Sequence, residues 1–519
     1  MPESVNLTID QNSAVERALR QHDQEVAAAG LAAGTFCAEQ DQDTTGVHVL
    51  SFGAPGGRWT RGNLKVSIDT TGCSFSGATA TLPSADAAIR AAFAQWQAAV
   101  PFFSFSFVAV GSGEDIRVRF GGTGLNPAFT GAGGVLASGG YPGTGSQGSL
   151  SCDSSESWTA DLLLRVCTHE IGHLIGLSHS NVPNGTMYPF QSGSSAIDRD
   201  ARDGANAIYG WRPQSRLGDR ATSDRATLGV TSVTNFTSRI DTLHMVWKGV
   251  GNDSGIWQSQ FNGSWSPQSK INGVGCSASP SLAQYSVPSS GALTTGLFMA
   301  WKGIPGDSGI YWSKNPGNGW EGQRHVANVG TSHAPTLANP NGFMHMAWKG
   351  VGDDTGIYWA RHDGGEGWTP QQRINGVGTS NAPSMVAFGG LLYLFWKGIP
   401  GDSTCWYSTM DPNTGVWAPQ RQIQYDSSEA SGVTKHAIGS TNGPTATVRG
   451  DQIFLTWKGV QGDQAIWFSM FRGGDFSGQA TIPNVGTAIG PSTAHANGQT
   501  YVAWKGINDD NVIYWTQLG

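Results

Sequence analysis

No apolar run in this 519-residue sequence approaches the roughly 18 residues that a helix needs to cross a membrane, so a helical span is excluded. Charge is scarce as well: Asp, Glu, Lys and Arg make up 13% of the chain. The net charge is −7 and no block of basic residues occurs, which argues against nucleic acid as a partner. Six cysteines, Cys37, Cys73, Cys152, Cys167, Cys276 and Cys405, are too few to form a disulfide framework at this length. The opening MPESVNLTIDQNSAVERALR has no basic segment followed by an apolar one, so no ordinary signal peptide is visible. What the sequence has in quantity is glycine, 73 residues, and tryptophan, 20. Tight glycine turns with aromatic packing units suit many short strands, and the length allows two to four domains.

One stretch carries chemistry. Residues 166 to 190 read VCTHEIGHLIGLSHSNVPNGTMYPF, in which His169, Glu170, His173, Gly176 and His179 form H-E-x-x-H-x-x-G-x-x-H. Two histidines four positions apart share one helical face. Gly176 lets the chain turn out of the helix so that His179 can return as a third ligand. Three imidazoles with one open position describe a catalytic zinc, whereas a structural zinc is closed by a fourth protein ligand. Glu170 is placed to take a proton from water at the metal. Met187 follows inside a turn-like N-G-T-M-Y-P.

Ahead of this motif, 13–33 is alanine-rich with helical spacing, and 1–45 reads as an N-terminal helical extension, a prosegment or a brace. Cys37 lies in the polar loop that follows; a latency thiol plugging the open zinc position, a disulfide to Cys73 and an idle thiol are all open. Strands are expected at VHVLSF, LKVSID, FFSFSFVAV and DIRVRF. A helix is expected after Ser84 with Ala88, Phe93 and Trp96 inward. Trp158 or Thr159 should begin the active-site helix, with Leu162, Leu163 and Val166 buried. A third helix is expected over 196–210.

These segments resemble the matrixin branch of the metzincin metallopeptidases. The shared features are Trp59 with LKVSI, the helix ending AFAQW, DIRVRF, GGVLA, D-S-S-E-S-W-T at 153–159, the zinc motif, the methionine turn and the closing DGANAIYG. The resemblance implies an α/β domain over 46–210, a twisted mixed sheet with three helices. It makes His169, His173 and His179 the zinc ligands, Glu170 the general base and Met187 the packing residue beneath the metal. It also implies that Gly134, Val135, Leu136 and Ala137 form the edge that pairs with an extended peptide substrate. Pro189 and Phe190 would wall the pocket for the residue after the scissile bond. Asp153 and Glu156 keep the family's calcium spacing, with solvated loop acids or a helix cap as the competing account. The family's second, structural zinc needs histidines that 136–153 lacks, Ser138 standing at one such position. A Cys152–Cys167 bridge would tie the loop to the active-site helix.

Beyond Gly210 the pattern changes. W-K-G occurs six times, at Trp247, Trp301, Trp348, Trp396, Trp457 and Trp504, at intervals of 54, 47, 48, 61 and 47 residues. Each copy is followed by an aspartate (Asp253, Asp307, Asp354, Asp402, Asp463, Asp510) and an aromatic strand, and each but the last by a W-x-x-Q element, with Phe476 for Trp in the fifth, and an INGVG-like strand. Units near this length with about four strands signal a β-propeller over 211–519. The last copy lacks its W-x-x-Q, and an unpaired one stands at Trp211, so six blades closed by the N-terminal strand are expected. The repeated Trp and Asp residues are either structural or sugar-binding. The pattern distantly resembles six-bladed fucose-binding lectins. The whole therefore reads as a secreted zinc endopeptidase of protein or peptide substrates, whose propeller targets cell-surface glycans or protein partners. The competing account is a lectin, adhesion or toxin-like protein with a latent or accessory peptidase.

Overall fold

The computed structural model describes residues 58–180, 184–188 and 195–519, apart from 236, 289–291, 366, 430–431 and 473. The helix expected over 13–33, the strand at VHVLSF, Cys37, Pro189 and Phe190 all lie outside the described residues. The described chain falls into two compact units, Trp59–Ile175 with Asn181–Asp198, and Gly176–Ser180 with Arg199–Gly519.

The first unit is built on five strands, β1 (Asn63–Ile68), β3 (Ser104–Phe107), β4 (Ile116–Gly121), β5 (Ala137–Gly139) and β6 (Ser149–Asp153), in the order β3-β1-β4-β6-β5. The first four neighbours run parallel, and β5 runs antiparallel to β6 at the edge. A smaller parallel pair, β2 (Ser74–Ser76) with β7 (Ser157–Thr159), stands beside it. Parallel strands need crossover connections, and helix α1 (Ala85–Ala99) supplies one. Ser84 caps α1 by accepting from the Ala87 N–H, and Ala88, Phe93 and Trp96 are fully buried. Helix α2 (Ala160–Leu174) is capped by Thr159, whose side chain accepts from the Leu162 N–H. Leu163 and Val166 are buried on it as expected, whereas Leu162 is half-buried. Two indoles fix α2: Trp59 Nε1 donates to the Leu174 carbonyl at 2.8 Å and Trp96 Nε1 to the Thr168 carbonyl at 2.7 Å.

The expected edge strand at Gly134–Ala137 needs correction: the strand runs from Ala137 to Gly139. The glycines ahead of it fold into a turn, with Gly131 at φ 125° and Gly133 at φ 85°, and the Gly134 N–H bonded back to Gly131 O. Left-handed glycines end extended pairing, so pairing begins only after them. Leu136 still takes part, accepting from the Asp153 N–H at 2.8 Å.

The second unit is β-rich and resembles a propeller. Each W-K-G ends the second strand of an antiparallel sheet, as in Arg239–Lys248 paired between Thr227–Thr234 and Gly255–Phe261. The sheet of the last copy, Ser492–Ala496, Gln499–Lys505 and Val512–Leu518, takes its fourth strand from Ser215–Ala221. Helix α3 (Arg199–Tyr209), shorter than the expected 196–210, belongs to this unit.

The repeated W-K-G…D residues form one device six times. All six tryptophans are buried to 1% exposure or less and fill the core. The following lysine bonds back across its loop: Lys302 Nζ donates to the Asp307 carbonyl at 2.9 Å and Lys397 Nζ to the Asp402 carbonyl at 2.9 Å. The aspartate carboxylate accepts from a backbone N–H two residues on and from an indole or phenol four residues on. Asp307 thus holds the Gly309 N–H and the Tyr311 hydroxyl, and Asp402 holds the Thr404 N–H and Trp406 Nε1. A Cβ at the glycine of W-K-G would overlap that carboxylate in every copy. The motif is therefore a turn lock, and its Trp, Lys, Gly and Asp are committed to the fold.

Candidate metal centre

The i, i+4 spacing on α2 brings His169 and His173 together, both buried, with ring centroids 4.8 Å apart and Nε2 atoms 3.1 Å apart. The helix closes at Ile175, whose N–H reaches the Ile171 carbonyl at 3.0 Å, and Gly176 then takes φ 100°. That left-handed step favours glycine and redirects the chain. His179 thereby joins the pair, and one ring nitrogen from each of the three histidines lies within 4.8 Å of the others. It is the one such cluster of His, Cys, Asp or Glu among the described residues.

Two features test whether these residues suit zinc. The donors are three imidazoles, the ligand type of catalytic zinc sites. The contact between His169 Nδ1 and the Thr186 carbonyl, at 2.8 Å, puts the proton on Nδ1 and leaves the Nε2 lone pair facing the other two rings. The residues fit the ion.

Thr186 was not singled out by sequence, since it reaches His169 through its backbone carbonyl; it sits one residue before Met187, in the turn that the methionine marks. Its N–H donates to Asp198 Oδ2, and its hydroxyl accepts from the Asp198 N–H at 3.0 Å, so the turn is pinned on both sides. Met187 is 1% exposed and lies against Gly172, where a Cβ would overlap its sulfur and stand 3.3 Å from Trp96. Tyr141, also missed, meets His173 edge-on with ring centroids 5.2 Å apart. Ser180, next to His179, donates to Asp200 Oδ2 at 2.7 Å, and α3 carries that buried acid.

Glu170 is fully buried on α2. Gly139 on β5 approaches so closely that a Cβ there would overlap the Glu170 carbonyl oxygen and lie 3.2 Å from its Oε2. The sheet edge and the carboxylate are thus adjacent, while Gly134 closes the turn before the strand and Val135 follows it, ahead of the strand.

The calcium expectation gains nothing further. Asp153 Oδ1 accepts from the Ser155 N–H and hydroxyl at 2.8 and 2.7 Å, and Glu156 Oε1 accepts from the Gly133 N–H at 2.6 Å. The expected Cys152–Cys167 bridge is not formed, and both residues are thiols. The Cys152 thiol is held well above its ordinary range by a hydrogen bond to Cys167, by burial and by the charge of Glu170. Cys73 is pushed up to about 11 by burial and by Cys167.

Three imidazoles on a helix and turn, beside a buried glutamate, define a zinc metallopeptidase centre. A family model described as Matrixin (Peptidase_M10) matches residues 58–210. Residues 58–210 are a matrixin-family zinc metalloendopeptidase catalytic domain. Neutrophil collagenase of Homo sapiens is 35% identical over 177 residues, covering 32% of this chain and 36% of its own. Interstitial collagenase of Oryctolagus cuniculus is 36% identical over 171 residues, covering 31% and 34%. Karilysin of Tannerella forsythia is 33% identical over 187 residues, covering 34% and 38%. The chain thus spans little more than a third of the length of these relatives. A solved mutant of the Aleuria aurantia lectin in complex with alpha-methyl-L-fucoside aligns at a TM-score of 0.41 with 14% identity, covering 59% of this chain and 93% of the lectin. Nothing about a ligand follows from a likeness of that degree.

Proposed function

We propose that the chain is a zinc-dependent endopeptidase acting on extended segments of protein substrates, with a six-bladed propeller as a recognition module. The observation that carries the catalytic part is the cluster of His169, His173 and His179 with Glu170 between the first two in sequence. Zinc held there supplies a Lewis acid that polarises the scissile carbonyl and makes a water acidic. Glu170, shielded from bulk solvent, takes the proton of the attacking water and returns it to the leaving amine. The free edge of β5 accepts the substrate backbone as an added strand, which holds the peptide straight with little demand on its side chains. Thr186 fixes the His169 tautomer, and Met187 supports α2 from below. Pro189 and Phe190 as pocket walls remain part of this reading by family analogy.

The six-bladed ring is supported by the inner strands, Thr227–Thr234, Ser281–Val287, Thr336–Ala338, Ser384–Phe388, Thr445–Arg449 and Ser492–Ala496, each of which neighbours the next, the last returning to the first. The division proposed is an extension at 1–45, the peptidase at 46–210 and the propeller at 211–519. Since the W-K-G…D residues serve the fold, a glycan or protein partner would be read by side chains that vary between the copies. The lectin or adhesion alternative draws on the repeats' filling about three-fifths of the chain; binding of a glycan array by Glu170→Ala protein would favour it.

The test is cleavage of casein by zinc-loaded wild type beside Glu170→Ala at equal zinc content. Cleavage stopped by a chelator and absent from the variant is the expected result. An uncut substrate in both, with 1–45 removed as well, would overturn the endopeptidase reading.

A further inference from the structure

Within the second unit, the loops that lead into the first strand of each repeat enclose a cavity of about 230 Å³. Aligned, these loops are 222–226, 276–280, 331–335, 379–383, 440–444 and 487–491. Their fourth position is Ser279, Ala334, Ala382, Gly443 and Gly490 in five copies, and Arg225 in the sixth. Five copies leave space, and one fills it with the longest cation available. Arg225 also lines a second cavity of about 90 Å³ among the inner strands, so this residue stands where the two meet.

The guanidinium is poorly provided for. Its Nε is shielded from solvent without a hydrogen-bond partner, and no carboxylate of a described residue stands within ion-pair distance. The acid beside it in sequence is already used: Asp224 Oδ1 accepts from the Arg225 N–H at 2.7 Å and Oδ2 from the Ser279 N–H at 2.8 Å. Burial lowers the Arg225 pKa, and the charge of Asp224 only partly offsets it. A cation taken from water without a counter-charge costs free energy unless something negative joins it. The wall offers a second donor. Asn442 Oδ1 accepts from the Thr441 hydroxyl at 3.0 Å, which leaves its amide N–H groups for the cavity. Ser277, Ser332, His333 and Asn381 add polar lining, Ala278, Ala334, Ala382 and Ile489 apolar surface, and Asp224, the acid in the wall, has both carboxylate oxygens turned to backbone N–H groups.

We propose that this cavity is a binding site for a small oxyanion, a carboxylate or a phosphate, held by the Arg225 guanidinium with the Asn442 amide as second donor. The planar fork of arginine matches two oxygens of such a group at once, and charge-assisted bonds of this kind are about twice as strong as neutral ones. The space is larger than the minimum that one water needs, so a phosphate or an acetate enters with room for waters beside it.

The experiment is isothermal titration of the full chain with sodium phosphate and, separately, sodium acetate, in chloride buffer at constant ionic strength. Wild type, Arg225→Gln and Ala334→Leu are compared, the last to fill the cavity and leave the cation in place. The expected result is one saturable site per chain for at least one oxyanion, weakened tenfold or more in both variants. Which probe binds tells carboxylate from phosphate. If Arg225→Gln fails to fold, Ala334→Leu with thermal unfolding against oxyanion concentration decides the matter. No saturable binding in wild type, equal binding in the variants, or the same stabilisation by chloride alone would overturn the proposal.

Discussion

Gly139→Ala isolates the packing between β5 and the catalytic helix. Gly139 does not use a left-handed conformation, so alanine fits its backbone, and in a strand the loss of glycine freedom alone would stabilise by roughly 0.5–1 kcal/mol. Against this stands a steric conflict: the added Cβ overlaps the Glu170 carbonyl oxygen and lies 3.1 Å from its carbon. The obstacle is helix backbone, which cannot rotate away. Helix α2 is also held by the indoles of Trp59 and Trp96, whereas among the described residues β5 pairs on one side only, with β6. The strand must therefore give way. Overpacking of a closed site costs about 1–3 kcal/mol, so the net effect should be destabilisation of about 1–2 kcal/mol. Zinc affinity should change little, because the ligands sit on the part that stays, while peptide hydrolysis should fall more than tenfold as the sheet edge moves. Urea unfolding, zinc competition with a chelator and peptide hydrolysis read the three quantities separately. A variant as stable as wild type or more so would refute the argument, since propensity would then have outweighed the clash.

Asp402→Ala removes the acceptor of the Thr404 N–H and of Trp406 Nε1, and should destabilise the second unit by about 1–3 kcal/mol, measured by denaturant midpoint; no change would mean the turn lock is unimportant. Asp200→Ala frees Ser180 beside His179 and should weaken zinc binding about tenfold or more in chelator competition, with unaltered affinity as the refuting result. Burial lowers the His244 pKa to about 4 from an ordinary 6.5, with Nε2 2.8 Å from the Thr231 hydroxyl oxygen. The unfolded chain binds more protons than the folded one in that window, so the contribution is complete above 6.5 and is lost as pH falls towards 4. His244→Gln should flatten the acid side of the stability curve by up to about 1.4 kcal/mol per pH unit, and an unchanged slope in urea midpoints between pH 7 and 4.5 would contradict the burial argument.

Much of this protein is determined locally, and the sequence shows it. The spacing of His169 and His173 places both rings on one helical face whatever surrounds them, and Gly176 announces the turn by being the residue that tolerates it. Ser84 and Thr159 mark their helix starts because a cap is a contact within three residues. The repeats are legible because the six W-K-G copies must satisfy the same turn, each with the same Trp, Lys, Gly and Asp. Tertiary structure alone decided the rest. The W-K-G residues act as a lock because Lys Nζ reaches the Asp backbone carbonyl across a loop while the Asp carboxylate holds a backbone N–H and an aromatic donor, a choice that composition leaves open. The edge strand moved to Ala137–Gly139 because left-handed glycines delay pairing, and such conformations follow from the closed turn. Thr186 and Gly139 act through a carbonyl and through the absence of a side chain. Backbone atoms and empty space have no letter in a sequence, so their roles appear only when the chain is folded around them.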